Sequence, residues 1–177
     1  MNPTTSTLEA SPESQGQADP TASSGAPRLP SQVVSFHLGR EEYGLDIMRV
    51  QEIILMGDIT QIPEVPAYIR GLINLRGKVI PIVDLRRRFG LDDIEPTEQT
   101  RIIVVNTAGM TFGVVVDAVN EVLRIEGEQL EPPPAGLLGG EQHYILGLLK
   151  RADRITILLD PEALLSEADR DCLKPAT

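Results

Sequence analysis

Residues 68–85 read YIRGLINLRGKVIPIVDL. Apolar residues flank a tight Arg76-Gly77-Lys78, and the KVIPIVDL that follows reads as a strand. Pro81 lies inside that strand, and because proline cannot donate to a ladder it predicts an edge or a bulge. The same outline returns at 144–160, YILGLLKRADRITILLD. A shift of 69 residues sets Val33-Val34 on Ile102-Ile103, Tyr43-Gly44 on Phe112-Gly113 and Val50-Gln51-Glu52 on Val119-Asn120-Glu121. A shift of 76 then sets Tyr68-Ile69 on Tyr144-Ile145, Gly71 on Gly147 and Asp84 on Asp160. The added residues coincide with a glycine-rich loop, GLLGGEQ at 136–142. The chain is an internal repeat.

Working outward, VVSFHL alternates, with Val34, Phe36 and Leu38 on one face and Ser35 and His37 on the other, as a half-buried strand does. LGREEYG reads as a turn and VQEIIL as a strand. Pro66 suits the first turn of a short helix over PAYIRGLIN. The stretch 91–100, LDDIEPTEQT, is an acidic linker, after which strand follows strand until a polyproline run at 132–134 leaves the sheet. DPEALLSEADR predicts a closing helix with Asp160 as N-cap and Pro161 in the first turn.

The expected fold is all-β: two pseudo-repeated five-stranded barrels, SH3-like or OB-like, packed together, with short helices and a C-terminal helix. Each half is too small to build a generous core alone, so the barrels must bury apolar surface against each other. The expected boundaries are a disordered Ser/Thr/Pro-rich tail over 1–31, a first barrel over 32–90, the linker 91–100, a second barrel over 101–166 and a C-terminal tail over 167–177.

The 177 residues carry a net charge of −10, which argues against nucleic acid, because such binding neutralises phosphates with Lys and Arg. It also disfavours an anionic membrane surface. No apolar run is long enough to span a bilayer, and the N-terminus lacks the basic and apolar regions of a signal peptide. The single cysteine, Cys172, cannot form an internal disulfide, which fits a reducing cytoplasm. His37 and His143 lack the spacing of a metal site, Cys172 lacks a base, and the glycines at 136–140 lack the Gly-Lys-Ser/Thr ending of a phosphate loop. No catalytic, metal or cofactor site is expected, and no enzyme.

Two charges interrupt apolar runs: Glu52 in VQEIIL and Arg76 in INLRGKVI. They are either solvated charges with a minor ion pair, worth ~0–1 kcal/mol, or a binding anchor on a rigid turn. The second half has Ala152 in place of Arg76 and Asp153 in place of Gly77, so the arginine is specific to the first lobe.

The segments EEYGLDIMRVQEI, IPEVPAYIRGLINLRGKVIPIVDLRRRFG, FGVVVDAVNEVL and ILGLLKRADRITILLD, in this order, resemble the CheW family of bacterial chemotaxis coupling proteins. The resemblance spans about residues 32–166 and implies two intertwined barrels. It also implies a non-catalytic cytoplasmic adaptor, monomeric outside the array, joining chemoreceptor hairpin tips to the regulatory domain of the chemotaxis histidine kinase. On that analogy the receptor helix lies along the groove between lobes, where Val50, Glu52, Gly71, Arg76 and Val122 match receptor-coupling positions. Kinase contacts fall to Ile59 and Ile62, with a ring contact near Leu137 and Leu138, although AGLLGG departs from the family pattern there. The rival readings are a coupling protein of a sister chemosensory pathway and, more remotely, a small-ligand β-barrel.

Overall fold

The computed structural model describes residues 30–126, 129–134 and 144–173. The expected tail, as far as residue 29, and the loop bearing Leu137, Leu138 and His143 lie outside the described residues.

The described strands are β1 (Gln32–Leu38), β2 (Glu41–Asp46), β3 (Val50–Leu55), β4 (Ile69–Leu75) and β5 (Lys78–Asp84), then β6 (Arg101–Asn106), β7 (Thr111–Val116), β8 (Ala118–Arg124), β9 (Leu130–Glu131), β10 (Ile145–Arg151) and β11 (Arg154–Leu159). A helical turn, α1 (Leu85–Arg88), follows β5, and a helix, α2 (Glu167–Leu173), closes the described chain. The fold is mainly β, in two sheets ordered β8-β1-β2-β11-β10-β9 and β3-β6-β7-β5-β4.

These sheets do not follow the contiguous barrels expected over 32–90 and 101–166. The β1–β2 hairpin of the first half sits between β8 and β11 of the second, and the β6–β7 hairpin of the second half sits between β3 and β5 of the first. The connections force this exchange. β7 ends at Val116 and β8 starts at Ala118, so Asp117 alone joins them. A hairpin needs at least a two-residue loop, so the chain crosses to the other sheet instead of turning back. At the equivalent point of the first half the 3-10 turn Ile47–Arg49 also carries β2 into β3 of the other sheet. Register repeats too: Gly44 pairs with Leu158 in the parallel β2–β11 ladder, and Gly113 with Ile82 in the parallel β7–β5 ladder.

Exchange changes what is buried. β1 has partners on both edges, with a bulge between Val34 and Phe36, so Val33 and Ser35 are as buried as Phe36. β1 is therefore not the half-exposed strand its alternation suggests. The Ser35 hydroxyl is satisfied by donating to the Glu121 carbonyl at 3.0 Å. Pro81 is tolerated inside β5 for a related reason. Its partner Leu72 turns both backbone groups towards Thr60, and the β5–β7 ladder begins only at Ile82. Pro66 starts a turn rather than a helix, its carbonyl accepting from the Ile69 amide at 2.9 Å.

Three cores result. One lies within each lobe: Ile80, Ile82, Ile102 and Val104 in the first, Val33, Leu123, Leu149 and Leu158 in the second. The third lies between them and draws on both sheets, with Phe36, Leu45, Val83, Val105, Phe112, Val116 and Leu159 all buried. Rings of Phe36, Tyr43, Phe89 and Tyr144 stack in series along it, with centroids 5.9, 5.3 and 4.9 Å apart.

The C-terminus also departs from expectation. Asp160 caps only a 3-10 turn, Pro161–Ala163, by accepting from the Glu162 amide at 3.0 Å. The stretch assigned to a tail holds α2, begun by a reciprocal cap in which Ser166 and Asp169 each bond the other's amide at 3.1 Å. Tyr68 donates its hydroxyl to Asp169 and ties α2 to the start of β4.

Burial, then the hydrogen bond and charge of Asp169, push the Tyr68 hydroxyl up to about 12. An unfolded tyrosine ionises near ~10, so the folded state keeps a proton that the unfolded chain has lost. Stability from this contact is complete below about pH 10 and is lost as pH rises towards about 12. Denaturant midpoints should fall across that window, and Tyr68→Phe should remove part of the slope.

Candidate binding surfaces

Leu75 pairs with Lys78, leaving Arg76 and Gly77 as a two-residue loop with φ of 54° and 86°. Two left-handed residues suit the twist of a tight hairpin, and Asn74 braces it by accepting from the Gly77 amide at 2.9 Å. The equivalent turn between β10 and β11 holds Ala152 at φ 51°. That backbone requirement is shared; arginine is not part of it.

The turn holds Arg76 outward, its side chain 75% exposed, with Nη1 2.6 Å from Oε2 of Glu52. Glu52 belongs to β3 and Arg76 to the β4–β5 tip, at opposite ends of the five-stranded order. Their contact shows that the sheet curls until its ends meet. With one partner so exposed, the pair contributes ~1 kcal/mol or less to stability, so its surface position is its main consequence.

Val50 opens β3 and packs partly buried against the shared core, as does its repeat counterpart Val119 on β8. Among the described residues β3 and β8 are edge strands of the two sheets, so equivalent strands leave the same core with one backbone edge that no described strand pairs. Val122, opposite Val34, is 50% exposed on β8, and Ile53 and Leu55 are exposed on β3. Exposed apolar side chains on an edge strand suit a protein partner, and alternation along β3 sets Ile53 and Leu55 on the face opposite Glu52.

Gly71 lies elsewhere. It sits at a bulge in β4 with φ 147°, and a Cβ there would stand 2.1 Å from the Thr60 carbonyl oxygen and 2.8 Å from Cγ2 of Ile59. The missing side chain lets Thr60 exchange both backbone hydrogen bonds with Leu72, at 2.9 and 2.8 Å. Gly71 therefore positions the segment carrying Ile59 and Ile62. Both isoleucines are half-buried, and Ile59 packs on the first lobe's core. Of the expected residues, then, Glu52 meets Arg76 and Gly71 meets Ile59, while Val50 and Val122 lie on different sheets.

Sequence reasoning passed over the arginines of LRRRFG. The Arg86 guanidinium grips Asp117, the one-residue link between lobes, at 2.9 and 2.7 Å, while the Gly39 amide donates to the same carboxylate at 2.7 Å. Burial alone would raise the Asp117 carboxyl, but the Arg86 hydrogen bond and charge outweigh it and hold it below the usual range. Arg88 lies between Tyr68 and Tyr144, 5.1 Å from each ring centroid, and donates to the Leu164 carbonyl at 2.9 Å. The repeat match of Tyr68 with Tyr144 was the available signal for that seat.

His37 bonds Asn120 at 3.0 Å, and Asn120 in turn donates to the buried Glu42 carboxylate at 2.9 Å. Burial works against ionised Glu42, yet hydrogen bonds from Thr156 and Asn120 and the charge of Arg151 prevail and depress its pKa. This network is structural. Among the described residues no group of three or more His, Cys, Asp or Glu could hold a metal ion, and no helix is long and apolar enough to cross a membrane.

Interlocked lobes of this kind define a class of paired β-domain protein. The CheW-like domain family matches residues 32–169, and the chain belongs to that family. It is 41% identical over 134 residues to the chemotaxis protein CheW of Klebsiella aerogenes, covering 76% of this chain and 81% of that one. It is 31% identical to CheW of Bacillus subtilis over 81% and 92% of the two chains. The crystal structure of the scaffolding protein TtCheW from Thermoanaerobacter tengcongensis superposes with a TM-score of 0.68 at 41% identity, over 74% of this chain and 89% of that one. Protein FrzA of Myxococcus xanthus is 31% identical over 65% of this chain and 71% of its own. The chain is a non-catalytic member of a chemotaxis and scaffold family.

Arg76→Ala should change unfolding free energy by less than ~1 kcal/mol. Gly71→Ala should cost roughly 2 kcal/mol or more, from overpacking and left-handed strain. Urea denaturation separates the two; equal effects would mean that Gly71 is not a packing residue.

Proposed function

We propose that this protein is a cytoplasmic adaptor that couples the hairpin tips of chemoreceptors to the regulatory domain of the chemotaxis histidine kinase, recruited to membrane-associated arrays and monomeric outside them. The observation that carries this reading is the Arg76–Glu52 pair, fixed by a left-handed turn and a curled sheet whose edge strand also exposes Ile53 and Leu55, within a fold belonging to the CheW-like family. Val50, Glu52, Arg76 and Val122 form the receptor-facing set. Gly71 serves it from a distance by fixing the backbone of β4, which leads into the turn. Ile59 and Ile62, on the segment bound to β4, face the kinase.

Binding on two faces of one rigid body raises effective concentration only when both can engage together. Interlocking supports that, because the faces cannot separate without breaking the shared core. The similarity to FrzA favours, as second reading, a coupling protein of a sister chemosensory pathway, with the same contacts and a different partner set.

Calorimetric titration with a receptor-tip hairpin and, separately, the kinase regulatory domain tests the assignment. Arg76→Ala should weaken the hairpin roughly tenfold or more, ~1.4 kcal/mol, and leave the kinase unchanged; Ile59→Ser with Ile62→Ser should do the reverse. Absence of binding to either cognate partner would remove the adaptor reading.

A further inference from the structure

The two lobes carry equivalent sockets, furnished differently. At the offset of 76, Asp160 stands for Asp84, Leu146 for Arg70 and Glu162 for Arg86; at 69, Asp46 stands for Val115 and Met48 for Asp117. The backbone repeats faithfully. Asp84 and Asp160 each cap the turn that follows, and each donates its amide to the equivalent tyrosine carbonyl at 2.7 Å.

In the first lobe the socket is full. Arg70 meets Asp84 at 3.0 Å, Arg86 grips Asp117, and Ile94 and Pro96 of the 91–99 connection line what is left, a space of ≈ 20 Å³. In the second lobe both arginine positions are lost. A cavity of ≈ 650 Å³ opens there, with Asp46, Asp160, Glu162, Met48 and Leu146 in its wall. Arg49 meets Glu162 at 3.2 Å, but neither Asp46 nor Asp160 forms an ion pair among the described residues. Burial holds the Asp160 carboxyl above its usual range, as expected of a carboxylate short of a cation.

The segment over the first socket is the connection that precedes β6. Since β6 is the counterpart of β1, the sequence counterpart of that connection is the segment preceding β1. At the same offset Pro96 falls on Pro27 and Thr97 on Arg28, the only cation within residues 1–31. Residues 22–29 lie outside the described residues, but Pro30, two positions beyond Arg28, is itself in the cavity wall. Two residues span at most roughly 7 Å, so Arg28 is within reach. Charge is inverted between the lobes. The first has arginines in its socket and Asp92, Asp93 and Glu95 in the connection before β6; the second has acids in its socket and an arginine in the sequence before β1.

We propose that residues 22–29 of this chain dock over the second-lobe cavity and place the Arg28 guanidinium against Asp160, where Arg70 stands against Asp84 in the first lobe. The docked segment would cover Met48, which is 85% exposed and lies two residues before Val50 of β3. Nothing in this pairing depends on the adaptor reading.

The test uses the full chain with Cys172→Ser and Ala22→Cys, at the far end of the segment, carrying a nitroxide, read by methyl resonances. Met48 and Ala108, both in the cavity wall, should lose most of their signal, while Leu55 and Val79 on the first lobe keep theirs. Adding Arg28→Glu should restore the lost signals, which distinguishes docking from mere tethering. Unattenuated signals, or attenuation that Arg28→Glu leaves unchanged, overturn the proposal. So does a cavity whose methyls are unaffected by the label and shift only when a receptor hairpin is added, which would give the site to that partner.

Discussion

A chain that leaves one strand at Val116 and enters the next at Ala118 cannot return to the sheet it has just left. Everything else in the fold follows from that crossing and from its counterpart at Ile47–Arg49. Because both halves cross, each sheet is built from both, and neither half can unfold without stripping strands from the other. The burial that two ~65-residue units could not achieve separately is supplied by the core between the sheets, where Phe36, Val83, Phe112 and Leu159 meet.

The crossing is itself defended by charge. Asp117 receives three bonds from Arg86, which follows β5, and one from the Gly39 amide, between β1 and β2, so one carboxylate ties both sheets to the link between them. Arg88 does the same on the axis of the repeat, seated between Tyr68 and Tyr144 and bonded to Leu164. A run of three arginines would ordinarily suggest a basic patch. Here Arg86, Arg87 and Arg88 all have internal partners, and the surface they leave is not strongly basic.

The repeat was legible in the sequence because it is written in residues with backbone duties. Gly71 and Gly147 permit close approach, Asp84 and Asp160 cap turns, and such residues stay recognisable when apolar positions drift. The exchange of hairpins was not legible in the residues themselves, since β1–β2 and β6–β7 have the same apolar texture and either would satisfy either sheet locally; only the family resemblance implied intertwined barrels, and the sheets are intertwined. Ser35 misled for the same reason: its polarity suggests an outer face, but a partner 86 residues away, Glu121, satisfies it inside. The Arg76–Glu52 pair was partly legible, because a charge inside an apolar run needs a partner or a purpose. That the two sit at opposite ends of a sheet's strand order, joined by its curl, could only come from coordinates. The cap of α2 was present as Ser166 and Asp169 but stood beyond the region where the repeat gave guidance.

Duplication followed by divergence separates what the fold demands from what a surface does. Arg76 and Ala152 share a left-handed backbone, so the turn asks only for that conformation, and the arginine answers to something outside the fold. Asp84 and Asp160 share a capping role, so their carboxylates answer to the fold, whereas Arg70 beside Asp84 and the open space beside Asp160 are no part of that role. Where equivalent positions differ in charge while the backbone agrees, the charge is not required by the backbone conformation they share. Two lobes locked by one core can then present unlike surfaces at a fixed separation, and a scaffold needs nothing more of its architecture.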